Sequence, residues 1–146
     1  MKKILIPIDG SEHAQKAALW VKNFFKDFKN VSVTFLHVSD LPKELMPHSY
    51  MMESIIEPTL IEEIINEKKE QAFKSVAGVF EDTEIKTEYV NKVGNPAEVI
   101  AQVAATENFD LVVIGSRGLG EIKGILLGSV SDRVAHICKR PVLIVK

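Results

Sequence analysis

The stretch Asp110-Leu111-Val112-Val113-Ile114-Gly115, followed at once by Ser116-Arg117-Gly118, decides the fold. A short run of branched apolar residues is typical of a strand that is buried on both faces of a parallel sheet. The glycines after it indicate a loop whose backbone comes close to a neighbour or a ligand. The stretch therefore predicts a central strand that carries a glycine-rich loop to one edge of the sheet.

Strand and helix patterns alternate outward from this strand in both directions. Short apolar runs predict five strands, at 4–8, 31–38, 85–90, 110–115 and 141–145. Apolar residues at helical spacing predict four helices, over about 12–28, 58–80, 95–107 and 129–137. Such alternation builds βαβ units, so we expect an α/β fold with a doubly wound, five-stranded parallel sheet covered on both faces. Residues 39–57 fit this pattern least and indicate either a lid or contact surface, or a mobile connector.

Length and composition predict one ordinary globular domain over residues 1–146. A net charge of −2 gives no support to a protein that coats nucleic acid. The lone Cys138 excludes an internal disulfide and a zinc site built from several cysteines. No apolar run approaches the roughly 18 residues of a membrane span, and the first run is too short for a signal peptide. We therefore expect a cytoplasmic protein with no membrane partner.

The spacing of glycines after the central strand predicts an anion site. Gly115 and Gly118 are followed, after nine residues, by Gly128 and Ser129, which open a helix. Positive φ angles at Gly118 and Gly120 would turn successive N–H groups into one concavity. The first N–H groups of the helix lack partners within it and carry part of its positive dipole, so they suit a phosphate.

Two readings of the helix start remain open from the residues alone. Ser129 and Ser131 are able to donate hydroxyls to a phosphate, whereas Ser129 with Asp132 also resembles a capping box that closes the helix on itself. The glycines would serve turns in either case. The loop is neither of two well-known phosphate motifs, because it lacks the Gly-Lys-Ser/Thr tripeptide and the glycine spacing of the dinucleotide fingerprint.

The chain resembles the nucleotide-binding branch of the universal stress protein family. The spacing Gly-x2-Gly-x9-Gly-Ser is similar to the ATP motif of that branch. Four further stretches match family positions: 2–11, Leu36-His37-Val38, 93–97 and 140–145. The resemblance extends over the whole chain and is weakest over residues 41–60.

The resemblance implies strand order 3-2-1-4-5 and a bound adenine nucleotide, ATP with Mg²⁺ or Mn²⁺. Pro7, Ile8 and Asp9 would lie beside the adenosine, with Asp9 on the ribose hydroxyls, and Val38 would present backbone to the adenine edge. The phosphate path would be lined by Gly115, Arg117, Gly118, Gly128, Ser129, Val130 and Ser131. The family also implies a homodimer formed through the last strand, 141–146, and a regulatory protein partner that the sequence does not identify.

The expected function is an ATP-binding regulatory or stress-response module. Asp9 is the one evident carboxylate at the expected site and no general base is placed beside it, so we assign no catalytic residue. Two alternatives remain: a slow ATP hydrolase or self-phosphorylating protein, with Ser129 or Ser131 as acceptor, and an interaction module that binds no nucleotide. The histidines show no metal-ligand spacing, and the sequence specifies no protein-bound metal. We expect His37 to be a satisfied, buried or half-buried group and Cys138 to be a packing residue.

Overall fold

The computed structural model describes residues 1–40, 57–119, 124 and 126–146. Five strands lie within these ranges: β1 (Lys2–Pro7), β2 (Val31–Ser39), β3 (Lys86–Val93), β4 (Leu111–Gly115) and β5 (Val142–Val145). Four helices alternate with them: α1 (Glu12–Phe25), α2 (Pro58–Val76), α3 (Pro96–Thr106) and α4 (Ser129–Ile137). Predictions that concern residues 41–56 and Gly120 lie outside the described residues.

The strands form a parallel sheet in the order β3-β2-β1-β4-β5. The chain moves from β1 outward through β2 and β3, and then to the other side of β1 through β4 and β5. The order therefore reverses between β1 and β4, which is where a cleft opens in sheets of this kind. The predicted five-stranded, doubly wound sheet in the order 3-2-1-4-5 is confirmed.

Two apolar layers hold the helices against the sheet. Ile4 and Ile6 of β1 face the layer beneath α1 and α2, whereas Leu5 between them faces the layer beneath α3 and α4. The alternation follows from the two-residue repeat of a strand, and it requires apolar residues on both faces of β1. This is the reason why β1, β2 and β4 are apolar runs, while the edge strand β3 is largely polar and exposed.

Three element boundaries differ from the sequence predictions by three residues or more, each for a local reason. The helix predicted to reach residue 28 ends at Phe25, where a turn closed by the Phe28 N–H and the Phe25 carbonyl replaces it. The helix predicted to reach residue 80 ends at Val76, and Gly78 follows with a φ of 80°. The third strand continues to Val93 because its pairing with β2 continues to that point.

Candidate functional site

A cleft of about 290 Å³ opens at the carboxyl ends of the central strands. Its volume is close to the lower end of the roughly 300–1,000 Å³ typical of small-molecule sites. The residues that line it come from every strand end around the switch point and from the start of α4: Pro7, Ile8, Asp9, Ala14, Leu36, Val38, Pro96, Ile100, Ile114, Gly115, Arg117, Gly118, Leu119, Ser129, Val130 and Ser131. The structure thus brings together all the site residues predicted from the sequence except Gly128, which lies directly behind the lining.

Asp9 is placed at the mouth of the cleft by the turn that follows β1. Its Oδ1 accepts a hydrogen bond from the Ser11 N–H (2.9 Å), and the Ser11 hydroxyl accepts one from the Ala14 N–H (3.2 Å). Ser11 is therefore the N-cap of α1. Asp9 orients the turn through one carboxylate oxygen, while Oδ2 lies against the backbone of Gly118.

Gly115 and Gly118 stand at the start of the loop after β4. Glycine is required at both positions because other atoms lie too close to leave room for a Cβ atom, and not because of unusual φ angles. A Cβ atom on Gly115 would lie 2.6 Å from the His13 backbone, and one on Gly118 would lie 2.5 Å from Oδ2 of Asp9. The predicted positive φ at Gly118 is wrong: the described glycines with positive φ are Gly10, Gly78, Gly94 and Gly124. Any side chain at Gly118 would displace the Asp9 carboxylate from the mouth of the cleft.

Ser116 holds the loop together, and its role was not predicted from the sequence. Its carbonyl accepts hydrogen bonds from the Gly128 N–H (2.7 Å) and the Ser131 hydroxyl (2.8 Å), and its N–H donates to the Val145 carbonyl of β5 (2.8 Å). Its hydroxyl lies 3.4 Å from Nδ1 of His13 in α1. These partners are distant in sequence, and the only local sign of the role is that Ser116 directly follows a central strand.

The two serines proposed for the phosphate path have different environments. Ser131 is buried, and its hydroxyl is committed to the carbonyls of Ser116 and Gly128, at 2.8 and 3.0 Å. Ser129 is exposed at the first position of α4, and Gly128 takes the N-cap position. Of the two interpretations left open, the capping box of Ser129 and Asp132 is therefore wrong, since no side chain among the described residues caps this helix.

The start of α4 is the electropositive side of the cleft. Helix N-termini leave their first N–H groups without intrahelical partners and carry roughly half a positive charge. At α4 these groups belong to residues that line the cleft, and the side chain of Arg117 lines it nearby. Among the described lining residues, Arg117 and Asp9 are the two that carry a full charge, so the site pairs one cation and a helix start with one carboxylate.

Much of the cleft lining is apolar. Ten of the lining residues have side chains without polar atoms: Pro7, Ile8, Ala14, Leu36, Val38, Pro96, Ile100, Ile114, Leu119 and Val130. Such a lining suits a flat ring system, with polar contacts left to strand-end backbone such as that of Val38. The cleft therefore combines apolar walls, which suit a ring, with an open helix start, which suits an anion.

Two predictions away from the cleft, for His37 and Cys138, are confirmed, and the start of α3 has a side-chain cap. His37 is buried, and its Nδ1 lies 2.8 Å from Oδ1 of Asn91, so the imidazole is a satisfied group of the β2–β3 pair. Cys138 is partly buried and packs against the apolar layer beneath α3 and α4. Asn95 caps α3, with its Oδ1 accepting a hydrogen bond from the Glu98 N–H (3.3 Å).

Comparison with known proteins agrees with this fold. The model of the universal stress protein family matches residues 1–146. The chain belongs to the universal stress protein family. The family resemblance inferred from the sequence is confirmed.

Individual relatives share both sequence and fold. Universal stress protein MJ0531 of Methanocaldococcus jannaschii is 35% identical over 146 residues, which cover 99% of this chain and 82% of the relative. The solved structure of MJ0577, from the same organism, is 36% identical, has a TM-score of 0.80, and aligns over 99% of this chain and 95% of its own. A universal stress protein solved in complex with cAMP is 26% identical, with a TM-score of 0.55 and coverage of 99% and 96%.

No helix among the described residues is long and apolar enough to cross a membrane. The same residues contain no group of three or more His, Cys, Asp or Glu side chains placed to hold a metal ion.

Proposed function

We propose that this universal stress protein binds ATP in the cleft and acts as a nucleotide-dependent regulatory module. The observation that carries the proposal is the mixed lining of the cleft, which combines the start of α4, without a side-chain cap, and the glycine loop with many apolar side chains. An adenine nucleotide has matching chemistry, with a flat ring at one end and phosphates at the other. A relative solved in complex with cAMP supports a nucleotide as the ligand class.

The phosphates would lie against the loop and the start of α4. Backbone N–H groups of Gly118 and Val130 would face them, the Ser129 hydroxyl would donate to them, and Arg117 would add positive charge. Gly115 and Gly128 would line the path without a side chain in the way, since the Gly128 N–H is already donated to the Ser116 carbonyl. Ser131 would act differently from Ser129, because its hydroxyl proton is already donated to backbone carbonyls. We assign it to positioning the helix start.

The adenosine would lie against apolar residues of the cleft lining. Pro7 and Ile8 would pack beside it, Val38 would offer backbone to the adenine edge, and Oδ2 of Asp9 would accept from the ribose hydroxyls. Mg²⁺ or Mn²⁺ would arrive on the phosphates, since Mg²⁺ is commonly held by substrate phosphates and a small number of carboxylates. Binding and ordering of the nucleotide are what these residues supply, and we assign none of them a catalytic role.

We propose further that the protein is a single-domain cytoplasmic homodimer paired through residues 141–146, with a regulatory protein as its partner. β5 supports the pairing because it is an edge strand of the described sheet and its four residues are only partly buried. Open apolar edges are usually covered in native proteins, and a symmetric pair covers two at once.

Calorimetric titration of Mg-ATP into nucleotide-free protein tests the site. We expect saturable binding to the wild type and none to Gly128→Val, because even a Cβ atom at this position lies 3.2 Å from Cα of Arg117. AMP and cAMP titrated in parallel show how much the outer phosphates contribute.

The matched control is Gly78→Ala, which follows α2 and lies outside the cleft lining. Its φ of 80° makes the substitution strained, so we expect a lower melting temperature and an unchanged affinity for ATP. If millimolar ATP gives neither heat nor a thermal shift with the wild type, the nucleotide proposal is wrong and the interaction module becomes the better reading.

A further inference from the structure

Helix α1 and the turn that follows it carry a row of aromatic rings, and the last rings of the row are exposed to solvent. The rings of Trp20 and Phe24 stack with centroids 4.9 Å apart and planes 9° from parallel, and those of Phe24 and Phe28 lie 6.1 Å apart at 17°. Phe24 is 55% exposed and Phe28 is 49% exposed. We call Trp20, Phe24 and Phe28 the aromatic ladder. Contiguous exposed apolar surface of this kind commonly marks an interaction site.

The ladder lies on the flank of α1 that faces β4 and β5. On the opposite flank, the Lys22 ammonium lies 2.6 Å from Asp82, which follows α2, and this hydrogen bond lowers the pKa of the Asp82 carboxyl. The helical repeat places Trp20 on the same side as His13, two turns earlier, and His13 contacts Ser116 at the end of β4. The ladder therefore faces away from α2 and towards the β5 edge of the sheet.

In the described sheet, β5 is an edge strand, and its outer edge lies next to this flank. The carbonyls of Pro141 and Val145 accept hydrogen bonds from the N–H groups of Val112 and Ser116 on the inner edge. Since backbone groups alternate between the two edges of a strand, the N–H and C=O groups of Val142 and Ile144 face outward. A second strand is the partner that satisfies such an edge in full.

Pairing of β5 alone is too small for a stable dimer. β5 has four residues, whereas a standard interface buries about 800 Å² and 20–30 residues on each partner. A stable pair therefore needs a second surface beside the strand. On one face of the sheet α4 exposes Asp132, Arg133 and His136, which need no cover, and on the other face α1 exposes the ladder.

We propose that the aromatic ladder is a homodimer surface that meets the same ladder of a second copy. This inference rests on the pairing of residues 141–146 proposed above. Antiparallel pairing of two β5 strands about a two-fold axis perpendicular to the sheet keeps both α1 helices on the same face. With α1 lying mainly across β4, three strand spacings separate the two helices, about 14 Å. Helices are about 10–12 Å across with ordinary side chains, so facing aromatic rings would fill the remaining gap.

Two variants that carry opposite charges at Phe24, measured separately and then mixed, test whether the aromatic ladders of two copies contact each other. Phe24→Glu and Phe24→Lys each place like charges opposite one another across the two-fold axis, and each would raise the dissociation constant of the dimer at least about tenfold. An equimolar mixture of the two variants restores association, since the heterodimer pairs opposite charges. Sedimentation velocity over a concentration series measures all three samples. Phe24 is more than half exposed, so both variants should fold, and far-ultraviolet circular dichroism checks this.

Leu19→Glu is the matched control. Leu19 is 47% exposed on the same helix, but it lies on the outer side away from both the sheet and the ladder, so its replacement should leave association unchanged. A wild-type dimer that both Phe24 variants leave intact would overturn the ladder proposal. A wild type that stays monomeric at high micromolar concentration would overturn the ladder and the β5 pairing together. ATP titration of the same samples reports separately on the nucleotide proposal.

Discussion

Helices α3 and α4 begin in similar ways in the sequence but differently in the structure. Each start carries a capping residue type followed three positions later by an acidic residue, Asn95 with Glu98 and Ser129 with Asp132. At α3 the motif caps the helix through the bond from the Glu98 N–H to Asn95. At α4 the motif does not, and Gly128 occupies the N-cap position without a side chain to offer. The same local pattern thus gives one closed helix start and one open one.

Tertiary contacts decide the difference. The Gly128 N–H and the Ser131 hydroxyl are both drawn to the carbonyl of Ser116, which shifts the register of the α4 start by one residue. The open start then lies in the cleft, where an anion is able to take the place of the missing cap. Helix α2 also begins without a side-chain cap, but Pro58 at its first turn has no N–H to satisfy and lies outside the cleft lining.

Removing the hydroxyl that holds the open start should produce the largest effect. Ser131→Ala leaves the carbonyl of Ser116 with one partner fewer in a buried position, so we expect unfolding free energy to fall by about 1–3 kcal/mol. Affinity for ATP should fall as well, because the loop and the helix start lose a direct link. Urea unfolding and calorimetric titration measure the two effects. Unchanged stability would show that the Ser131 bonds do not set the geometry of α4.

The contrast between the two helices shows how far the sequence predicts this molecule. The central strand at Leu111–Gly115 and helix α3 depend on neighbours in sequence, so periodicity and residue type were sufficient to predict them. The partners of Ser116 lie on α1, α4 and β5, and no local pattern encodes them. Gly118 was predicted as a glycine position for the wrong reason, since the constraint is the Asp9 carboxylate and not a positive φ. The cleft residues were identified through family resemblance, and their geometry required the structure.

A mutation at the closed start of α3 should lower the stability of the protein and leave its affinity for ATP unchanged. Asn95→Ala removes the acceptor of the Glu98 N–H, and the loss of an N-cap typically costs about 1 kcal/mol. Asn95 does not line the cleft, so affinity for ATP should remain at the wild-type value. Thermal unfolding with and without saturating Mg-ATP separates the two quantities. An altered affinity would mean that α3 contributes to the site beyond Pro96 and Ile100.

A mutation at the open start of α4 should change the affinity for ATP and not the stability of the protein. We expect its effect to be the smallest of the three. The Ser129 side chain is exposed and makes no cap bond, so Ser129→Ala should leave the unfolding free energy of the nucleotide-free protein unchanged. It removes one hydroxyl donor to a phosphate, worth about 0.5–1.5 kcal/mol, so affinity for ATP should fall by roughly 2–12-fold. Ser129→Thr keeps the hydroxyl and should bind like the wild type. If Ser129→Ala instead lowers stability in the absence of nucleotide, the hydroxyl closes the helix in solution, and the contrast between α3 and α4 on which the phosphate assignment depends would be lost.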